Sequence, residues 1–193
     1  MPSPTFVNLP DAKKERFIQE ALKEFSEKSY EQASVSKIVR RLNIAKGSVY
    51  QYFTDKSDLY QYLVNTARKR KTDIFLSIYN QPDQDFDIWF TRLCLAEIKF
   101  SAEFSEMHNL LENEALINPS ASSEQLFLLR KEVDHFGHQM RPGVDHGKLA
   151  FILKATKDAL VSQKWPHQGV SDYEILDNIS EVVNLLFSKF SKQ

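Results

Sequence analysis

The chain has one cysteine, five glycines and seven prolines in 193 residues. A single thiol, Cys94, excludes an intrachain disulfide and suits a reducing compartment. It reads either as a small core hydrophobe or as a reactive thiol. Long hydrophobic runs are missing too, since no stretch approaches the ~20 apolar residues of a membrane span. The start, Met1-Pro2-Ser3-Pro4-Thr5, has neither the basic cluster nor the apolar stretch of a secretory signal. The expected location is therefore the cytoplasm, with no membrane partner. No Ser-His-Asp order, nucleophile elbow or phosphate-cradling glycine loop occurs, which counts against an enzyme and against a cofactor. His135 and His138 form one i, i+3 pair with no cysteine nearby, short of the three or four ligands zinc takes, so no metal site is expected. Glu103 with Glu106, and Glu112 with Glu114, read as solvated charges.

What is present is apolar residue and unevenly placed charge. Apolar residues make up 42%, enough for a substantial core. Residues 1–72 hold fourteen Lys and Arg against eight Asp and Glu, a net +6, while residues 73–193 hold eleven against eighteen, a net −7. A basic head on an acidic body fits a polyanion-binding module joined to a different domain.

The few glycines and prolines punctuate a helical pattern. Between Pro10 and Pro82 there is no proline and one glycine, Gly47; later breaks fall at Pro119, Pro142-Gly143 and Pro166 to Gly169. Period-2 alternation is not sustained anywhere, so the fold class is all-α. Phe17, Ile18, Ala21, Leu22 and Phe25 make one helical face, whose start is marked by Asn8 and Asp11. Ser34 is placed to cap a second helix carrying Val35, Ile38, Val39 and Leu42. A turn at Asn43 leads to a third helix from about Lys46 to Phe53, and Asp55 with Asp58 caps a fourth through Leu59, Leu63 and Ala67. Longer helices are predicted over 84–116 (with a break near 106), 121–139, 145–164 and 171–191.

Two short helices joined by a tight turn form a helix-turn-helix, in which the second helix enters a major groove and the first braces it. On the third helix Val49 and Phe53 share the inner side, and at 100° per residue Gly47 and Gln51 point away from it, flanked by Ser48 and Tyr50. An outward glycine costs roughly 1 kcal/mol relative to alanine, a cost that makes sense where the backbone must approach another surface. Lys46 suits phosphate at the helix N-terminus, Tyr50 and Tyr52 offer hydroxyls, and Gln51 has the geometry to pair with an adenine edge.

The segment Phe17 to Leu63 resembles the TetR/AcrR family of repressors. The likeness is carried above all by Ser34-Val35-x-x-Ile38 and by Ile44-Ala45-Lys46-Gly47-Ser48-Val49-Tyr50-Gln51-Tyr52-Phe53-x-x-Lys56-x-x-Leu59. It implies a DNA-facing set of Ser34, Lys46, Gly47, Ser48, Tyr50, Gln51, Tyr52 and Lys56. It also implies an N-terminal helix-turn-helix domain (8–56) followed by a helical effector-binding and dimerisation domain (57–193). Three positions depart from the family pattern. Ser29 stands where a glycine usually closes the first helix, which implies a strained left-handed turn or another form. Ala45 lacks the usual capping hydroxyl, and Ser36 stands where a basic residue is frequent.

In the body, Trp89, Phe90, Leu93, Glu97, Phe100, Phe104, Phe127 and Phe136 are the candidate effector lining, ordinary core being the alternative. Glu97 either orients a ligand or faces water. The two last helices carry broad apolar stripes, enough for two buried faces. Ile152, Ala155, Ile179, Val183 and Leu186 are the candidate dimer contacts. The expected function is that of a homodimeric repressor, bound to a palindromic double-stranded operator and released by a small apolar or amphipathic effector. That effector would wedge apart the helices near Arg68–Tyr79 and Asp85–Phe100. A helical enzyme and a dimeric interaction module without DNA binding are the alternatives.

Overall fold

A computed structural model describes residues 1–79, 85–163 and 169–190. Among these residues every regular element is a helix: α1 (Pro4–Val7), α2 (Asp11–Glu27), α3 (Val35–Leu42), α4 (Lys46–Tyr52), α5 (Lys56–Tyr79), α6 (Phe86–Glu103), α7 (Ser105–Ile117), α8 (Pro119–His135), a 3-10 turn (Phe136–Gln139), α9 (His146–Ser162) and α10 (Asp172–Phe190). None is long and apolar enough to cross a membrane. The all-helical class expected from the sequence is therefore what the chain adopts. The helix ends expected at 84, 164 and 191 lie outside the described residues.

Local chemistry sets most boundaries. Asp58 N–H donates to Asp55 Oδ1 at 2.8 Å, so the expected cap of α5 forms. Asp145 takes the N–H groups of Gly147 and Lys148 at the start of α9. These bonds hold its carboxyl below the usual range, that from Lys148 contributing most. The junction expected at Pro119 forms, with Pro119 opening α8 from its first turn, where its missing N–H costs nothing, behind Asn118, which accepts from Ser120 N–H. The break expected near 106 falls at Phe104. Asn8 ends α1 rather than starting α2, whose N-cap is Pro10 without a side-chain bond. At Ser29 the turn takes another form. Lys28 is extended, and Asn43 is the described non-glycine residue with positive φ, so no left-handed serine is needed.

The chain packs as two compact units, Met1–Lys71 with Phe104–Ile117, and Thr72–Glu103 with Asn118–Gln193. In the first, α2 packs on α3 and α7. Phe17, Ala21, Leu22 and Phe25 bury one face of α2, and Leu59, Tyr60, Leu63, Val64 and Ala67 bury the first half of α5. That burial is why packing divides α5 near Lys71 and not at its start. Asn113 of α7 donates to the Phe25 and Ser26 carbonyls, occupying acceptors that the end of α2 leaves open.

The second unit is built around aromatic rings. Phe86 stacks on Trp89 with centroids 5.6 Å apart and meets Phe136 at 5.2 Å and Phe187 at 4.6 Å. Leu149 and Leu153 of α9 and Ile175, Ile179 and Val183 of α10 close the same core. Arg141 ties the end of α10 down, its backbone N–H to the Phe190 carbonyl and its guanidinium to that of Ser188.

Candidate nucleic-acid interface

The bracing helix α3 is short, and its two ends are fixed by different means. At its C-terminus Asn43 takes the left-handed conformation (φ 55°, ψ 47°). Asn43 N–H returns to the Arg40 carbonyl and Ile44 N–H to that of Val39. This is a Schellman closure, which turns the chain in one residue and launches α4. At its N-terminus Ser34 occupies the expected cap position, but its side chain makes no capping bond. Glu24 of α2 does the work instead. This carboxylate, 2% exposed, accepts from Ser34 N–H at 3.1 Å and pairs with Arg41 at 3.0 Å. Arg41 also pairs with Glu20 at 2.8 Å and donates to the Glu20 carbonyl. A polar cluster around the buried Glu24 thus pins α3 to α2 at both ends.

On α4, Val49 is buried and Phe53 follows it into the core, while Lys46, Gly47, Tyr50 and Gln51 are exposed and Ser48 is half-buried. A side chain added at Gly47 would meet no atom within 4 Å, so nothing inside the chain requires a glycine there. Ala45 caps α4 without a side-chain bond, as its chemistry demands. Ser36, Lys37 and Arg40 make the exposed face of α3. The last two are cations, and the spacing of Val35, Ile38, Val39 and Leu42 already puts them outward.

Three expected contact residues are engaged within the chain. The Tyr52 ring is half-buried and lies 5.6 Å from Phe6 and 5.7 Å from Phe17. Lys56 donates to the Glu31 carbonyl at 3.3 Å and sits 4.6 Å from the centre of the Tyr30 ring. Ser34 is half-buried with its N–H on Glu24.

Of the candidate effector residues, Trp89, Phe90, Leu93, Glu97, Phe100 and Phe136 are buried. The other two are not brought to them: Phe127 is 57% exposed, and Phe104 is half-buried in the first unit. Glu97 does not face water. Its carboxylate lies 3.5 Å from the Lys157 ammonium. Burial alone would lower the lysine's pKa, but Glu97 and Asp158 outweigh it and hold the ammonium above the ordinary range. Cys94 is fully buried, and burial pushes its thiol up to about 12. The native protein should therefore resist a water-soluble disulfide reagent at pH 8 until denaturant is added. Rapid stoichiometric reaction without denaturant would contradict this placement.

Of the candidate dimer residues, Ile152 and Ala155 are exposed and Leu186 is half-buried, but Ile179 and Val183 lie inside the unit's own core. The large apolar residues left outside on α9 and α10 are Phe151, Ile152, Tyr173, Leu176 and Leu185.

Residues 17–63 match the profile described as bacterial regulatory proteins, tetR family. This segment of the chain is similar to that family. A helix-turn-helix transcriptional regulator of Staphylococcus aureus is 36% identical over 78 residues, spanning 39% of this chain and 40% of the relative's length. A crystal structure of a TetR family regulator from Chloroflexus aurantiacus superposes over 100% of both chains, with a TM-score of 0.80 and 24% identity. The regulator FadR from Bacillus subtilis, crystallised with stearoyl-CoA, covers 90% of this chain and 97% of its own, with a TM-score of 0.63 and 19% identity. These proteins are described as regulators of transcription, and the fold is shared along the whole chain.

Proposed function

We propose that this chain is a ligand-released repressor of the tetR family that binds a palindromic duplex as a homodimer. Residues 8–56 act as the DNA-binding domain, and 57–193 as the effector-binding and dimerisation domain. The carrying observation is the outer face of α4: Lys46, Gly47, Tyr50 and Gln51 are exposed on a helix whose other side is locked by Val49 and Phe53. With no neighbour at Gly47, the helix backbone is free to approach a groove wall. Gln51 reads a base edge; Lys46, Ser48 and Tyr50 hold phosphates, joined by Lys37 and Arg40 from α3. Tyr52 and Lys56 are engaged mainly within the chain, and Ser34 contributes its backbone N–H to Glu24.

Dimerisation uses the outward face of α9 and α10, where Phe151, Ile152, Ala155, Leu176 and Leu185 remain uncovered. Two recognition helices must then sit one helical turn apart, ~34–36 Å, or a multiple of it. The effector is apolar or amphipathic, in keeping with the aromatic interior around Trp89, Phe90 and Phe136 and with the stearoyl-CoA bound by the Bacillus subtilis regulator. By entering between α6 and the C-terminal half of α5 it favours a dimer spacing that no longer fits DNA. A differential affinity of about 1–3 kcal/mol suffices for such coupling.

Selection of duplexes from a random library, followed by binding titrations, tests the reading. Gln51→Ala should relax preference at one base pair of each half-site, by about 1–3 kcal/mol. Lys46→Ala should weaken all sequences alike and flatten the salt dependence. Failure of the unsubstituted protein to enrich any duplex would overturn DNA binding, and an unchanged selected sequence with Gln51→Ala would overturn base readout by that residue.

A further inference from the structure

The recognition helix α4 spans seven residues, starts without a side-chain cap and stops at Tyr52. A helix so short does not persist on its own, so its geometry must be imposed from outside. Val49 and Phe53 hold one side. The remaining constraint comes from the first residues of the chain, which lie outside the helix-turn-helix segment.

Ser3 N–H donates to the Tyr52 carbonyl at 2.8 Å, and Ser3 Oγ donates to the Gln51 carbonyl at 2.6 Å. These are two of the carbonyls that the end of α4 leaves without a helical partner. The same Ser3 hydroxyl also caps α1, accepting from Phe6 N–H. The turn of α1 then drives Phe6, 1% exposed, into a box of rings: Phe53 at 4.8 Å, Phe17 and Tyr62 at 5.5 Å, and Tyr52 at 5.6 Å. One short segment thereby grips α4 at its last carbonyls and at two of its flanking rings. Gln51, whose side chain faces outward, has its own carbonyl in that grip.

We infer that residues Ser3 to Phe6 form a clasp that fixes the last turn of the recognition helix, making Ser3 and Phe6 positioning residues for Gln51 and Tyr50. The role in recognition rests on the DNA-binding reading above; the clasp itself does not. Ser3 and Phe6 touch no base. They set the direction from which Gln51 reaches one.

Hydrogen exchange on the full-length protein tests the clasp without DNA. Ser3→Ala should speed exchange of the Tyr50 to Phe53 amides about 3- to 10-fold, the range expected for losing one net hydrogen bond. Phe6→Leu, which removes the ring contacts, should speed it by a similar factor. The α9 amides should exchange unchanged, and Ser3→Thr, which keeps the hydroxyl, should behave as the unsubstituted protein does. The second readout uses a duplex enriched by the unsubstituted protein from a random library, with a scrambled duplex as control. Both variants should lose about 3- to 10-fold in affinity for the enriched duplex and nothing for the scrambled one, with Ser3→Thr restoring the ratio. Unchanged exchange in both variants overturns the clasp. Faster exchange with an undiminished affinity ratio overturns its role in recognition. If the unsubstituted protein enriches no duplex, the DNA-binding reading fails and the positioning role with it, while exchange still decides the clasp.

Discussion

Ile179→Asp is expected to unfold the second compact unit, and Leu185→Asp, six residues along the same helix, to leave it folded. Ile179 is 0% exposed and shares its core with Ile175, Val183 and Phe187, whereas Leu185 is 72% exposed. A carboxylate at Ile179 would lose its hydration and find no cation among those side chains. The cost is several kcal/mol. Against a total stability of about 5–15 kcal/mol, that is enough to melt the unit near room temperature. At Leu185 the same carboxylate stays in water within a single chain. If the outer face of α9 and α10 is the dimer interface, Leu185→Asp and Phe151→Asp should yield folded monomers with weakened operator binding. Far-UV circular dichroism melts paired with sedimentation separate the two effects. An Ile179→Asp protein that melts with the unsubstituted one would refute the burial, and folded dimers from both surface variants would move the interface elsewhere.

The contrast between those two positions marks what the sequence could say and what it could not. The stripe through Ile175, Ile179, Val183 and Leu186 was legible as a helix with more apolar surface than one face needs. Which edge of so broad a stripe turns inward depends on where α6 and α9 lie, and periodicity carries no such information. The helix-turn-helix was legible almost to the residue because its determinants are local. The apolar spacing of α3, the left-handed Asn43 and the outward Gly47 each act within a few positions. The four residues of α1 were not legible. They are too few to show a period, and they form a helix because Phe6 is buried by rings about ten to fifty-five residues further along the chain. Phe104 and Phe127 failed for a related reason: hydrophobicity proposes a core position, but contact with the other elements decides it. Ser34 had the right residue at the right place, and a carboxylate from the preceding helix took the bond.

That substitution of one cap for another leads to the second large effect. Glu24→Ala is expected to destabilise the first unit by about 2–4 kcal/mol, and Glu24→Gln by clearly less. The alanine leaves Ser34 N–H without its acceptor and removes one of the two carboxylates facing Arg41. Removing one partner of a buried pair costs about 3–5 kcal/mol. The guanidinium is 29% exposed and keeps Glu20 at 2.8 Å, so the loss falls around and below the lower end of that range. Glutamine retains an oxygen for Ser34 N–H and leaves Arg41 with Glu20, so it gives up charge but not the bridge between α2 and α3. Ser34→Ala should be nearly neutral, because its hydroxyl makes no capping bond. Denaturant melts of the three variants should rank Ser34→Ala, Glu24→Gln and Glu24→Ala in order of increasing loss. A Ser34→Ala loss equal to that of Glu24→Ala would mean that the serine caps α3 after all, and that the carboxylate is a bystander.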